Sequence, residues 1–123
     1  MIIRGIFGTA AVVAGLTFVV LAPEAQASPA SQANAVRAAQ DYLDMQGFSR
    51  SGLIKQLEYE SYSEEDAEAA VDSVGADWNA NAVKSAKDYI DMQGFSHAGL
   101  VKQLEYEGYT PSQAEYGVEG AGL

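Results

Sequence analysis

A chain of 123 residues without cysteine has room for one ordinary domain or two very small ones, and neither a disulfide framework nor a thiolate metal site can staple them. The 17 acidic residues against 7 basic ones leave a formal charge of -10. This excludes nucleic acid as a partner, because such a footprint needs clustered Lys and Arg to displace counterions.

Residues 1–27 read as a secretory signal. Arg4 supplies a positive start, Gly5 to Leu21 form an apolar run, and Ala25-Gln26-Ala27 is a small-x-small cleavage site that makes Ser28 the new N-terminus. The run is close to the minimum for a bilayer span, so the competing reading is an uncleaved anchor. Pro23 and the Ala25/Ala27 site directly after the run favour cleavage, and only an uncleaved leader would tie the protein to a membrane. No cysteine stands at the junction to carry a lipid. The expected location is the medium or the extracellular face of the cell envelope.

The remainder is a duplication. After a lead-in at 28–33, residues 34–76 return as 81–123 at a constant offset of 47, with 25 of 43 positions identical and no gap, joined by a linker at 77–80. A unit of about 43 residues lies near the lower limit for independent folding, so the copies are expected to support each other. Their charge differs: copy one, counted with Asp77, has 10 acids and 3 bases, copy two 6 acids and 3 bases.

Within the repeat the apolar spacing predicts an all-α fold of three helices per copy. From about Gln32 to Gln46, Ala35, Val36, Ala39, Tyr42 and Leu43 share one helix face, with Arg37, Asp41 and Asp44 opposite. Gly47 suits the left-handed position past the helix end, which would let Phe48 fold back on Leu43, as Phe95 would on Ile90. Ser49 and Ser96 can cap a second helix whose inward residues are Leu53, Ile54 and Leu57, then Leu100, Val101 and Leu104. Gly52 and Gly99 in its first turn suggest close approach of a neighbouring backbone, since glycine there costs about 1 kcal/mol relative to alanine.

Ser63-Glu64-Glu65-Asp66 and Thr110-Pro111-Ser112-Gln113 are capping-box patterns that open a third helix. Ala67, Ala70, Val71 and Val74 face inward in copy one. The corresponding helix of copy two carries Gly117 and Gly120 and is expected to fray earlier. Between the copies, Asn79 reads as a cap with Trp78 stapled to Val83, which makes Trp78 the inter-module joint. The rival reading of Trp78 is an exposed binding residue.

Little catalytic chemistry is on offer. His97 is the one histidine, its counterpart is Arg50, and a solvated position at a helix start accounts for both. Asp41/Asp44 and Asp88/Asp91 could in principle clamp a cation, but Arg37, Lys84 and Lys87 lie four residues before Asp41, Asp88 and Asp91, so a face laced with ion pairs is the simpler account. Glu64, Glu65 and Asp66 sit where a helix N-terminus favours negative charge. No catalytic residue, metal or cofactor is expected. The short turn between helices two and three has a helix-turn-helix look, yet its acidic surface and an exported location argue against DNA.

The aromatic residues are more telling. On a helical wheel Tyr59 and Lys55 point away from the Leu53/Leu57 face, and Tyr106 with Lys102 repeats this, while Met45 and Met92 also point outward. An outward Tyr beside a Lys, presented twice, could anchor a protein partner. Packing across the joint or over a core edge would explain the same residues.

The run Ala82-Val83-Lys84-Ser85-Ala86-Lys87-Asp88-Tyr89-Ile90-Asp91-Met92, continuing through Gly94-Phe95-Ser96, Gly99-Leu100, Gln103-Leu104 and Tyr106-Glu107-Gly108-Tyr109-Thr110, resembles the Ltp family of host cell surface-exposed lipoproteins. Asp77-Trp78-Asn79 ahead of it fits the same pattern. The resemblance covers 32–123 and implies a tandem of three-helix, helix-turn-helix-like units outside the cell membrane. It also implies superinfection exclusion, in which phage-borne members block DNA injection through contact with the tape measure protein of an incoming phage. The sequence departs from the family in lacking the lipid-bearing cysteine. The alternative role is a secreted cell-envelope module that binds a wall polymer or an envelope protein.

Overall fold

The computed structural model describes residues 28–123, so the leader and its Ala25 and Ala27 positions lie outside the described residues. Six helices follow one another: α1 (Pro29–Met45), α2 (Arg50–Tyr59), α3 (Glu64–Ser73), α4 (Trp78–Met92), α5 (His97–Tyr106) and α6 (Pro111–Gly120). No strand occurs among the described residues. The fold is all-α and built from two three-helix modules. In each, the first and second helices pack mainly on the third, and the helices that pack heavily on one another belong to the same module.

Each module has its own small core. Ala35, Ala39, Leu53, Leu57, Ala67, Ala70 and Val71 fill the first, and Ala82, Ala86, Leu100, Leu104, Ala114 and Val118 the second. So many alanines allow close helix approach but bury little area each. Roughly 25 cal/mol per Å² of apolar burial therefore leaves each module dependent on its caps and ties. One tie is written twice: the Gln56 amide donates to the Tyr42 hydroxyl at 3.2 Å, and Gln103 donates to Tyr89 at 3.1 Å.

Several local expectations are corrected. Helix α1 starts at Pro29 rather than Gln32, because Ser28 accepts from Ser31 N–H at 3.0 Å and Pro29 takes the first helical position, where its missing N–H costs nothing. Gly47 is not left-handed: the positive-φ glycines are Gly75, Gly108 and Gly122. The chain instead leaves α1 extended at Gln46 (φ -160°), which carries Phe48 edge-on over Tyr42 with ring centroids 5.6 Å apart. Phe95 and Tyr89 repeat that pair, also at 5.6 Å.

Asp77, not Asn79, caps α4, accepting from Ala80 N–H at 3.0 Å, since a carboxylate also gains from the helix dipole. Trp78 is thus the first helical residue rather than half of a staple, and it packs against the first module's core. Only the Thr110/Gln113 capping box is reciprocal. The buried Asp66 carboxylate instead accepts from Ser31 Oγ at 2.7 Å, tying the start of α1 to α3.

Helix α6 does not stop short; it spans ten residues, as α3 does. Its glycines are approach points. A Cβ on Gly117 would come within 2.6 Å of the Ala82 backbone, and one on Gly120 within 2.6 Å of Val83 Cγ2. Tertiary packing on α4 outweighs glycine's low propensity.

Candidate partner surfaces and the joint between modules

The modules meet where the α1–α2 turn of the first lies against α4 and the α5–α6 turn of the second. Phe48 N–H donates to Asn81 Oδ1 at 3.1 Å, and the Asn81 amide is itself held by Asp77 O at 2.9 Å. Ser49 caps α2 through Gly52 N–H while its hydroxyl donates to Glu107 O at 2.6 Å. Ser51 Oγ donates to Gly108 O at 3.3 Å, and Lys84 Nζ reaches Leu43 O, one of the carbonyls left over at the end of α1, at 3.2 Å. A Cβ on Gly47 would come within 2.6 Å of both Asn81 O and Ser85 Oγ, so glycine is what lets the turn seat. Gly52 does meet a neighbouring backbone, at Glu107 O, whereas at Gly99 the near contact is its own cap, Ser96 Oγ.

A cleft of about 270 Å³ opens beside this joint, lined by Gly47, Ser85, Asp88, Tyr89, Met92 and Glu107. It falls below the usual small-molecule range, which begins near 300 Å³, and it is open to solvent. The joint is a packing interface between the two modules.

The outward residues lie elsewhere. Tyr59 and Tyr106 are each 87% exposed at the ends of α2 and α5, and Met45 and Met92 are 70% and 72% exposed. Lys55 and Lys102 are exposed, and among the described residues none of the four Lys and Tyr side chains makes a hydrogen bond or ion pair. Of these residues only Met92 borders the joint cleft; the two Lys–Tyr pairs sit on separate modules. Tyr116, 54% exposed on α6, was not singled out by the sequence because its counterpart is Ala69 and the repeat gave no second instance.

The ion pairs differ from those expected. Arg37–Asp41, Lys84–Asp88 and Lys87–Asp91 are not among the pairs that close; Lys84 is turned to Leu43 instead. Arg50 makes a two-point contact with Asp72 at 2.7 and 2.9 Å, and His97, in the equivalent place, meets Glu115 at 2.9 Å. Both fasten the start of a second helix to the third. Donating to Asp72 raises the Arg50 guanidinium further, and in return accepting from Arg50 lowers the Asp72 carboxyl. The Glu115 bond raises His97, whose role here is structural. Burial pushes the Glu107 carboxyl up, and burial pushes Tyr109 to about 12 against the opposing bond from Ser85.

No helix among the described residues is long and apolar enough to cross a membrane. None of the curated proteins compared with the chain matches it. Among solved structures, the structure of Ltp, a superinfection exclusion protein from the Streptococcus thermophilus temperate phage TP-J34, is similar with a TM-score of 0.70 and 30% identity, over 79% of this chain and 99% of that one. The family model for the host cell surface-exposed lipoprotein, Ltp, matches at 30–74 and again at 77–120, one match on each module. With the duplicated module, the six helices and both matches in agreement, the chain belongs to the Ltp family of host cell surface-exposed lipoproteins.

Proposed function

We propose that the chain acts in superinfection exclusion as a non-enzymatic binding protein, which contacts the tape measure protein of an incoming phage and stalls genome delivery. The family and its TP-J34 relative supply the role. The observation that carries the binding mode is the pair of unpartnered Lys–Tyr surfaces, Lys55/Tyr59 and Lys102/Tyr106, on an acidic body. Tyrosine offers rigid contact area with a polar tip, and the surrounding carboxylates draw in a basic or amphipathic segment and speed its encounter. Met45 and Met92 add soft apolar contact at the ends of α1 and α4. Without a cysteine to lipidate, the protein meets its target as a secreted form or held by its leader.

Expression in a susceptible host, with phage adsorption and DNA entry measured separately, tests the reading. Normal adsorption with reduced DNA entry is expected. Unchanged DNA entry at good expression contradicts it, and strong co-sedimentation with purified cell walls in that case points to an envelope-binding module.

A further inference from the structure

The two modules differ in charge at one place, and the difference follows the course of the chain. Between the start of α1 and α3 lies an open groove of about 650 Å³, lined by Ser28, Gln32, Glu65, Asp66, Ala69 and Ser73. At the 47-residue offset these positions become Gly75, Asn79, Ser112, Gln113, Tyr116 and Gly120. Both carboxylates are gone, and a tyrosine stands where Ala69 leaves room. Gly75 continues from the first module with a neutral amide, whereas Ser28 is the residue at which cleavage after Ala27 starts the chain.

Cleavage changes the charge of that end. Hydrolysis of the Ala27–Ser28 bond puts the oxygen of water on Ala27, which leaves with the leader as a carboxylate. The Ser28 nitrogen becomes an ammonium below its ordinary pKa of about 7.7–8.0. At the cap of α1 that ammonium is repelled by the positive end of the helix dipole. Helix α1 has no acid in its first turn to offset it, whereas α4 is capped by the Asp77 carboxylate. The first turn of α3 supplies what α1 lacks, with Glu64, Glu65 and Asp66, of which the last two line the groove. The dipole of α3 favours those acids as well, yet α6 starts in the same place without any.

Two short links join Ser28 to Asp66. Ser28 Oγ accepts from Ser31 N–H at 3.0 Å, and Ser31 Oγ donates to Asp66 Oδ2 at 2.7 Å. The Gln32 amide, turned so that both its ends are satisfied, donates to Asp66 Oδ1 at 3.0 Å. A carboxylate offers about four acceptor positions, so Asp66 keeps acceptor capacity beyond these bonds. Asp66 is 2% exposed and fixed in place, while Glu65 beside it is exposed and free to turn toward the chain end.

We propose that this groove receives the chain's own new N-terminus: the Ser28 ammonium freed by cleavage is held by Glu65 and Asp66 and clamps the start of α1 on α3. The uncleaved chain, with a neutral amide at Ser28, lacks the clamp. This inference rests on cleavage after Ala27 and is independent of the partner that the mature protein binds.

Expression of the full gene, leader included, in an exporting host supplies the protein for the test, and the intact mass of the exported chain reads its first residue. A start at Ser28 is expected. By NMR its α-amino group should titrate at least half a unit above the ordinary range of about 7.7–8.0, and Glu65→Gln should bring it down. A raised value means that the clamp is whole below the unfolded value and fades as pH rises through the folded one. Selective acetylation of the α-amino group should raise the unfolding equilibrium constant about threefold at pH 7, the equivalent of half a unit, and less so in Glu65→Gln or at high salt. Glu65 is exposed, so the variant keeps its fold. An exported chain that retains its leader, an α-amino group titrating at or below the ordinary range, or one indifferent to Glu65→Gln would overturn the proposal.

Discussion

The Ser49 hydroxyl donates to the Glu107 carbonyl at 2.6 Å, while its oxygen also accepts the Gly52 N–H at 2.9 Å. One side chain thus caps a helix in the first module and fastens that helix to the second. Ser96, at the same place in the repeat, performs only the capping task, through Gly99 N–H at 2.9 Å.

That asymmetry sets the first expectation. Ser96→Ala should cost about 1 kcal/mol, the usual loss of a cap. Ser49→Ala should cost about 1 kcal/mol more, because the Glu107 carbonyl also loses its partner in a partly buried place. Paired denaturant titrations of the two variants measure the difference directly.

Gly47→Ala and Gly117→Ala should each destabilise by about 1–3 kcal/mol, the usual cost of an added methyl group in a packed place. They act at different sites. The first forces the joint apart at Asn81 and Ser85, and the second pushes α6 off Ala82 inside the second module. Thermal melts should therefore lose amplitude sharing between modules in the Gly47 variant, and lose second-module helix first in the Gly117 variant.

His97 gives a pH test with one unambiguous reporter. Its pKa is raised above the ordinary value, first by the hydrogen bond to Glu115. A raised histidine value means that the pair stabilises the fold fully below the unfolded value of about 6.5, and that this contribution fades as pH rises through the folded value. The NMR titration of His97 should have its midpoint above that of an unstructured histidine, and Glu115→Gln should move it back down.

Tyr109 ionises near 12, held up chiefly by burial. Its neutral form is the one the fold accepts, so its contribution is whole below the unfolded value of about 10 and is lost as pH climbs toward the folded value. Its hydroxyl lies 2.7 Å from Ser85 Oγ inside the second module. In a spectrophotometric titration one tyrosine should appear late, and Tyr109→Phe should delete that step while costing about 1 kcal/mol through the orphaned Ser85 hydroxyl.

Much of the fold was legible because it is local and written twice. The helix faces around Leu53/Leu57 and Leu100/Leu104, the caps Ser49, Ser63, Ser96 and Thr110, and the outward Tyr59 and Tyr106 all follow from periodicity and turn chemistry. What escaped is tertiary. Gly47, Gly117 and Gly120 look alike in sequence, as helix enders or weak points, and only their neighbours Asn81, Ala82 and Val83 reveal close approach. The roles of Ser85 and Glu107 at the joint were hidden for the same reason, and Lys84 left its expected partner Asp88 for a carbonyl of the other module. At Trp78 a competing cap one residue earlier, Asp77, decided the register of α4.

The most direct test is the binding of the purified chain to the tape measure protein of an excluded phage, followed with and without Tyr59→Ala and Tyr106→Ala together. Both residues are exposed, so the double variant should keep its helical spectrum. The account predicts saturable binding that weakens with salt and falls at least tenfold in the double variant, which corresponds to about 1.4 kcal/mol. Equal affinity for the two proteins, or no binding by either, would contradict it.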